Sequence, residues 1–449
     1  MDEMKKQECK NIDLPEGFKI TELGPLPEDW QVVRLGDELI EQKQKNRNEQ
    51  SLPVYTISNV YGFILSDEFF EKQVYSRNLT NYKIVEKGDF AYNPYRVNVG
   101  SLALFRGDNP GLVSPAYTVF RVRSSDRLDP DFLLMLFKSS SLRSEIERVA
   151  MSRGSVRRSL AYKDLSDFHI PLPPLPEQRA IAHVLRTVQR AKEATERVIQ
   201  ATRELKKSLM RYLFTYGPVP VEEAERVPLK ETEIGLVPEE WKVVRLGEVV
   251  KKARSGGTPL RSKKEYWNGS IPFALIEDLT ASGLYLYRTK ESISEEGLRN
   301  SSAWIVPEGS ILLSMYATIG ATAVNKIPLA TNQAILALVP TENLNAEFGA
   351  LLLSYKADEL ARFNVQSTQK NINKGIVLRF FIPLPPLSEQ RAIARVLRTV
   401  NKKLQAEEAR KQALEELFKT LLYNLMTGKI RVKDVVLPNV GEGKGDVTH

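Results

Sequence analysis

Ile170–Val188 reads IPLPPLPEQRAIAHVLRTV, and Ile382–Val400 reads IPLPPLSEQRAIARVLRTV. The two stretches differ at only two aligned positions. A second pair, LPEDWQVVRLGDE from Leu26 and VPEEWKVVRLGEV from Val237, recurs at nearly the same spacing. Because both pairs keep one spacing, they belong to one repeat unit. The chain is therefore an internal duplication, and each copy covers nearly half of it.

Each proline-rich block opens a long helical pattern. In the first copy, steps of four and three residues give the period of a coiled-coil seam. Its members are Ile181, Val184, Val188, Ala191, Thr195, Val198, Thr202, Leu205, Leu209 and Tyr212. The second copy starts the same way at Ile393, becomes polar in the middle and resumes at Leu414, so its middle should pack less tightly.

The length of these helices requires a partner. Gly217 and Gly428 mark their ends, and about 37 residues at 1.5 Å per residue correspond to roughly 55 Å. The simplest partner for each helix is the other copy, and an antiparallel pair is sterically reasonable because a whole module separates the two. The alternative is that each seam docks on another protein.

The modules between these helices contain short strand-like runs and polar loops. WQVVRL, DFAYN and YTVFRV lie in the first module, and WKVVRL, SILLSM and AILALV lie in the second. Helical segments are predicted near Asp131 to Arg148 and Ala346 to Phe363. Trp30 and Trp241 open equivalent strands and are predicted core residues. The fold class is α+β: two similar globular domains joined by two long helices that form an antiparallel coiled-coil spacer.

The repeat also predicts the domain boundaries. Residues 1–173 form the first globular domain and 174–216 the first spacer helix. Residues 217–385 form the second globular domain and 386–428 the second spacer helix. Residues 429–449 are a C-terminal tail.

Composition limits the partners and the compartment. Lysine plus arginine outnumber aspartate plus glutamate by 64 to 56, a net charge of +8 that favours an anionic partner. The single cysteine, Cys9, cannot form an intramolecular disulfide, which fits a reducing cytoplasm. The polar start and the lack of an apolar run of about 18 residues predict neither a secreted nor a membrane protein.

Catalytic motifs are weak in this sequence. NPYR at Asn93 is similar to the Asn-Pro-Pro-aromatic loop of amino-group methyltransferases, but it lacks the second proline, and no glycine-rich turn for S-adenosylmethionine precedes it. An ordinary turn between strands is the favoured interpretation. There is no P-loop, and the three histidines make no zinc spacing. Two alternatives to a sequence-reading subunit stay open: a methyltransferase acting alone and a coiled-coil scaffold without base readout.

The PLPPLxEQRAI block at the start of a long helix, and the LPExWxVVRLG stretch before each module, resemble the specificity subunit of type I restriction-modification systems. The resemblance covers most of the chain. It implies two target-recognition domains, each of which reads one half of a bipartite site in double-stranded DNA. It also implies helices that dock two methyltransferase subunits, with motor-nuclease subunits joining through the complex. The chain itself would be non-catalytic and hold no cofactor, because S-adenosylmethionine, ATP and Mg belong to those partners.

Base readout needs forked donors or amides on loops. One predicted DNA-binding segment in each module lies at the same distance from the proline block, with residues Arg153, Ser155, Arg157, Arg158 and Tyr162 in the first and Gln366, Ser367, Thr368, Gln369, Lys370, Asn371 and Asn373 in the second. Further candidates are Asn93, Tyr95, Arg96 and Asn98, and Tyr316 and Thr318. The Ser255 SGGTP stretch is predicted to be a flexible approach loop. The arginines suggest guanine-leaning readout and the amides adenine-leaning readout.

Overall fold

The computed structural model of the chain forms two compact units, which we call unit 1 and unit 2. Unit 1 comprises the chain up to Glu193 and from Gln412 onward, and unit 2 comprises Ala194–Lys411. The structure describes residues 14–58, 62–70, 72, 74–95, 101–152, 159–316, 318–362 and 372–432.

The strands of unit 1 are short, and all of its described helices except the long spacer helix are also short. Its strands are β1 (Phe18–Thr21), β2 (Gly24–Pro27), β3 (Gln31–Arg34), β4 (Leu39–Gln42), β5 (Tyr55–Ser58), β6 (Gly62–Leu65), β7 (Lys83–Val85), β8 (Asp89–Tyr92), β9 (Leu102–Leu104), β10 (Gly111–Val113), β11 (Thr118–Val122) and β12 (His169–Leu172). Its helices are α1 (Leu35–Glu38), α2 (Ser66–Phe69), α3 (Pro130–Leu136), α4 (Ser140–Ser152), α5 (Tyr162–Ser166) and the start of α6 (Leu175–Tyr216).

Unit 2 follows the same plan with longer insertions. Its strands are β13 (Leu229–Thr232), β14 (Gly235–Pro238), β15 (Lys242–Arg245), β16 (Val250–Ser255), β17 (Trp267–Ala274), β18 (Tyr285–Leu286), β19 (Glu291–Ile293), β20 (Ile311–Ser314), β21 (Thr322–Asn325), β22 (Ala330–Thr331), β23 (Ile335–Pro340) and β24 (Phe381–Leu384). Its helices are α7 (Ile276–Ser282), α8 (Glu295–Arg299), α9 (Ala346–Tyr355), α10 (Ala357–Arg362), α11 (Lys374–Arg379) and most of α12 (Leu387–Met426).

All six strand-like runs of the sequence are strands, whereas the two helical segments between them are each broken. Asp131 to Arg148 spans α3 and α4, and the second segment spans α9 and α10. Asp129 and Asn345 cap the starts of α3 and α9, with their side chains accepting backbone N–H bonds.

The divergent inserts share one sheet topology. The sheet of unit 1 has the order β4-β11-β8-β9, and the sheet of unit 2 has the order β16-β23-β20-β21-β18. The first four strands of the two sheets correspond in chain order and in pairing. Strands β8 and β20 are buried along their whole length, as expected for central strands covered on both faces. Buried apolar side chains therefore keep the same scaffold although the sequences differ.

The two repeated motifs pair with each other inside each unit. Strand β3 of the Trp30 segment is antiparallel to β12, which leads into the proline block, and β15 is antiparallel to β24 in the same way. The indole Nε1 of Trp30 donates to Glu177 Oε2 at 3.0 Å, and that of Trp241 donates to Glu389 Oε2 at 2.9 Å. Both tryptophans are fully buried, which confirms them as core residues.

The glutamine that follows each of these glutamates ties the long helix to the module. Gln178 Nε2 donates to the backbone oxygens of Arg127 and Pro173, and its Oε1 accepts from the N–H of Asp129. Gln390 makes the same three bonds, to Asn343, Pro385 and Asn345. The EQ dipeptide of the repeat is thus a structural clamp, because it satisfies backbone groups that burial would otherwise leave unpaired.

Unit 1 has one further contact that unit 2 lacks in its described residues. After Gly428, whose φ of +69° ends α12, the chain folds back, and Arg431 Nε and Nη2 each donate to a Glu177 oxygen at 2.7 Å. Arg431 also bonds Asp29. Glu389, the counterpart of Glu177, forms no ion pair with any described residue. The first residues of the predicted tail are therefore attached to unit 1.

The two long helices pack together and run antiparallel. Helix α6 has 42 residues and α12 has 40, more than the sequence predicted. In unit 1, Leu185 near the start of α6 shares a hydrophobic cluster with Leu422 near the end of α12. In unit 2, Met210 near the end of α6 shares a cluster with Leu397 near the start of α12. Ion pairs support this pairing in the polar middle: Arg203 with Glu408 at 2.8 Å, and Lys411 with Glu196.

The predicted seam on α6 is wrong at two positions of its second half, Val198 and Leu205. The other three predicted positions there are buried or half-buried: Thr202, Leu209 and Tyr212. Val198 and Leu205 are 39% and 52% exposed, whereas Ile199 and Met210 are 1% and 7% exposed. An α-helix has 3.6 residues per turn, so a strict seven-residue repeat drifts around it by about 20° per heptad. From Ile181, five turns of 3.6 residues lead to Ile199 and not to Val198.

This register difference can be tested with two neighbouring substitutions. Ile199→Ala should lower the free energy of unfolding by about 2 kcal/mol, because it removes a buried side chain and leaves a cavity. Val198→Ala should change it by less than about 0.5 kcal/mol. Urea unfolding of the full chain, followed by far-ultraviolet circular dichroism, measures both. A larger loss of unfolding free energy for Val198→Ala than for Ile199→Ala would support the predicted heptad seam instead.

Candidate nucleic-acid interface

The first group of predicted DNA-binding residues in unit 1 lies in the turn between β8 and β9. Asn93 Oδ1 accepts from the N–H of Tyr95 at 3.0 Å, so the asparagine side chain stabilises its own turn. This is the ordinary turn between strands that the sequence favoured over a methyltransferase loop. Tyr95 is 55% exposed. Arg96 and Asn98 lie outside the described residues.

A second segment reaches the same turn. The N–H of Leu160 donates to the oxygen of Pro94 at 3.1 Å, and the Tyr92 hydroxyl donates to the oxygen of Leu160 at 3.2 Å. Leu160 lies within the predicted basic segment, whose residues Arg153, Ser155, Arg157 and Arg158 lie outside the described ranges. The structure therefore places the end of that segment beside the β8–β9 turn.

Tyr162 differs from the other candidates in its surroundings. It is half-buried at the start of α5, it packs against the unit 1 core, and its ring centroid lies 6.4 Å from that of Phe120. Burial raises the pKa of its hydroxyl. The ring thus supports the base of the loop.

Unit 2 has the corresponding arrangement. Tyr316 and Thr318 are exposed in the turn between β20 and β21, and Ser314 Oγ donates to the oxygen of Tyr316 at 2.9 Å. The N–H of Ile372 donates to the oxygen of Met315 at 3.2 Å. Ile372 lies within the predicted amide-rich segment, whose members Gln366, Ser367, Thr368, Gln369, Lys370 and Asn371 lie outside the described residues.

Asn373 is the described end of that amide-rich segment. It is exposed and caps α11, with its Oδ1 accepting the N–H of Ile376 at 3.0 Å. The carbonyl side of its amide is therefore occupied by the cap. Its NH₂ group makes no hydrogen bond to any described residue and remains available as a donor.

The SGGTP stretch is not the flexible loop that the sequence predicted. Gly256 and Gly257 are buried, and a Cβ on Gly256 would overlap the backbone oxygen of Thr331. Their lack of side chains permits close packing of this stretch against the β22–β23 connection. The two glycines were expected to make this stretch flexible, but in the structure they allow two backbone segments to pack closely.

Sequence reasoning missed two polar residues at this end of the sheet. Thr258 Oγ1 donates to Gln333 Oε1 at 2.6 Å, and both residues are exposed. The ends of β16 and β20 and the starts of β21 and β23 meet here because these strands are antiparallel neighbours. Thr258 and Gln333 therefore lie at the same sheet end as Tyr316 and Thr318. The sequence held one signal for this site: Gln333 is a polar residue in a turn between two apolar runs.

Two searches of the described residues concern other classes of protein. No group of three or more His, Cys, Asp or Glu side chains within the described ranges is arranged to bind a metal ion. None of the helices in those ranges combines the length and the apolar composition that crossing a bilayer requires.

Comparison with known proteins identifies the family. The family model described as "Type I restriction modification DNA specificity domain" matches residues 27–203 and 238–416, which are the two copies of the repeat. The type I restriction enzyme MjaVIII specificity subunit of Methanocaldococcus jannaschii is 27% identical over 433 residues, covering 94% of this chain and 97% of its own. The EcoR124I/EcoR124II specificity subunit of Escherichia coli is 27% identical over 270 residues, 57% of this chain and 62% of its own.

A solved structure supports the fold. The S subunit of a type I restriction-modification system from M. genitalium superposes with a TM-score of 0.58 at 16% identity, covering 92% of this chain and 98% of that one. The family model spans most of the chain, and its two matches coincide with the two frames described above. The chain therefore belongs to the DNA specificity subunits of type I restriction-modification systems, a non-catalytic component of these enzymes.

Proposed function

We propose that each unit reads one half of an asymmetric, two-part site in double-stranded DNA. The reading surface would combine the turn after β8 or β20 with the loop that ends at Leu160 or Ile372. The observation that carries this proposal is the matched junction. In both units one backbone hydrogen bond joins two segments that the sequence selected separately as DNA-binding candidates.

The two surfaces differ in the chemistry that they offer. Arginines dominate the loop of unit 1, and amides and a lysine dominate that of unit 2. A bidentate arginine suits the O6 and N7 of guanine, and an amide suits the N6 and N7 of adenine. Two unlike readers on one duplicated scaffold imply an asymmetric target.

The repeated frame supports the proposed assembly. The same Trp-Glu and EQ contacts occur in both units, so one docking surface is offered twice, which suits two copies of a methyltransferase subunit. Motor-nuclease subunits would join through that complex. S-adenosylmethionine, ATP and Mg would act in those partners, and the modification would be adenine N6 methylation.

The length of α6 supports an unread gap between the half-sites. Its 42 residues correspond to about 63 Å, whereas one turn of duplex DNA is about 34 Å long. A rigid element longer than a helical turn favours half-sites separated by several base pairs that the protein does not read.

Methylome mapping tests this proposal. The chain would be co-expressed with the neighbouring methyltransferase gene in a methylation-free host, and methylated adenines would be located by single-molecule sequencing. We expect one motif made of two unlike halves around a gap of fixed length. The host carrying the methyltransferase alone is the control and should show no such motif. A contiguous or palindromic motif would contradict two unlike readers.

A further inference from the structure

A cleft of about 650 Å³ lies within unit 2, between one face of α12 and the segment that follows α7. Its helical wall consists of Arg398, Asn401, Lys402 and Gln405, which share one helix face by their spacing. The opposite wall includes Tyr285, Tyr287, Arg288 and Lys290. The volume is in the range of sites that bind small ligands.

The cleft is positively charged. Arg288, Lys290, Arg398 and Lys402 line it, against a single carboxylate, Asp278. Both oxygens of Asp278 already accept backbone N–H bonds, from Leu275 at 2.8 Å and from Lys290 at 3.2 Å.

Two of the four cationic side chains form ion pairs with described residues, and the other two do not. Arg398 Nη1 lies 3.4 Å from Glu347 Oε2, and Lys290 Nζ lies 3.2 Å from Glu277 Oε2. No acidic side chain of the described residues pairs with Arg288 or Lys402. The cleft therefore retains two uncompensated cations, which favours an anionic ligand.

Asn401 adds a hydrogen-bonding group to the helical wall. The residue is 9% exposed, it lines the cleft, and its amide makes no hydrogen bond to any described residue. The NH₂ group of this amide is therefore available to donate to an oxygen of a ligand in the cleft. At the counterpart position on α6, Gln189 Nε2 donates to Glu193 Oε1 at 2.8 Å and is satisfied.

Aromatic side chains complete the cleft. Tyr287 is 63% exposed, and its ring centroid lies 6.0 Å from that of Tyr285. Exposed rings beside cations are the combination on which nucleotide bases stack while their phosphates are bound. Strand β18, which leads into Tyr287, has no counterpart in the four-stranded sheet of unit 1.

We propose that this cleft binds a phosphate-bearing ligand. Arg288 and Lys402 bind the phosphate oxygens, and the Asn401 amide donates an N–H to one of them. For a free nucleotide, Tyr287 also offers a face to the base. The phosphate comes either from the DNA backbone or from a free nucleotide. The DNA source rests on the DNA-binding role of the chain, but it requires no base readout by the loops.

The test uses the full chain with two cleft variants and two matched controls. Asn401→Asp keeps the side-chain shape and places a negative charge in the cleft, and Arg288→Gln removes a cation. Asn343→Asp and Arg299→Gln make the same charge changes at exposed positions outside the cleft. Thermal unfolding of each variant verifies folding. The probes are a labelled duplex of random sequence, titrated at several salt concentrations, and ATP, titrated by calorimetry.

For a DNA phosphate, each cleft variant should weaken duplex binding, and the slope of log affinity against log salt should fall by about 0.9 for Arg288→Gln, the contribution of one phosphate contact. For a free nucleotide, ATP affinity should fall about tenfold or more, as for a lost hydrogen bond to a charged group. The controls should resemble the wild type. If neither probe separates the cleft variants from their controls, the proposal is wrong.

The methylated motif distinguishes this proposal from the proposed function. Because the cleft contacts phosphate and not base edges, both cleft variants, co-expressed with the methyltransferase, should direct methylation to the wild-type motif. A cleft variant with a changed motif would overturn the phosphate assignment. A wild-type motif without two unlike halves would contradict the two-reader function and leave the cleft measurements valid.

Discussion

Glu177→Gln should destabilise unit 1 by about 3 kcal/mol, whereas Glu389→Gln should destabilise unit 2 by less than about 1 kcal/mol. The two glutamates occupy equivalent positions and both accept the indole N–H of a buried tryptophan. Only Glu177 also holds Arg431 through two hydrogen bonds of 2.7 Å. Glutamine keeps the size of the side chain but leaves the partly buried guanidinium of Arg431 with Asp29 as its one remaining carboxylate partner among the described residues.

The duplication supplies the control for this experiment within the same chain. Hydrogen exchange with mass spectrometry would report the opening of each unit separately in Glu177→Gln, Glu389→Gln and wild-type protein. When both glutamate variants also carry Arg431→Ala, their destabilisations of units 1 and 2 should become similar, because this substitution deletes the contact that unit 2 lacks. Equal destabilisation of both units would contradict a specific role for Arg431.

The same contact predicts a pH dependence. Burial opposes ionisation of Glu177, but hydrogen bonds from Arg431 and Trp30 outweigh it and lower the pKa of this carboxyl group. A carboxyl group with a lowered folded pKa contributes stability above its unfolded pKa of about 4.3, and that contribution is lost as the pH falls through the folded value. The stability difference between wild type and Glu177→Gln should therefore narrow below about pH 4.

Exchanging residues 153–159 for residues 365–371 should change one half of the methylated motif and leave the other half intact. The structure defines where each exchanged segment should end. Leu160 and Ile372, the residues after the two segments, each donate a backbone hydrogen bond to the adjacent turn. Keeping both anchors preserves the junction while the base-contacting side chains change. The half that changes should become the half that unit 2 reads in the wild-type protein.

Methylome mapping of the exchanged chain measures this outcome. A matched exchange of residues 18–24 for 229–235, from the equivalent β1–β2 and β13–β14 hairpins, would show whether an exchange of equivalent residues outside the loops is enough to change the motif. Changes in both halves, or in neither, would mean that these loops do not carry the specificity of a single unit.

The architecture was accessible from sequence because its signals are local and repeated. The proline blocks, the tryptophan stretches and the helical period each follow from residues close together in the chain. The shared sheet topology of the inserts was not accessible, because buried apolar side chains can be exchanged for others of similar volume while strand pairing persists. Phe90 and Phe120 stack in unit 1, whereas Ile311 and Leu338 pair at the corresponding place in unit 2.

Only part of the candidate interface could be selected from the sequence. The sequence selected the Asn93 and Tyr316 turns and the two loops as separate candidates, and chain folding brought Leu160 and Ile372 beside these turns. Thr258 and Gln333 were missed because they become neighbours only when β16 and β23 pair. The SGGTP stretch was misread because a glycine pair permits either flexibility or close packing, and only its neighbours decide between them.

Residue order alone therefore established the duplication and predicted the two long helices, since repeats and helical periods are properties of the chain itself, and its repeated motifs indicated the family. The tertiary structure decided which face of each helix is buried, because 3.6 residues per turn carries the stripe from Ile181 to Ile199. It also decided which copy of the repeated glutamate is paired with Arg431, and where a cationic cleft forms beside α12. Those features depend on contacts between residues far apart in sequence, which no local pattern encodes.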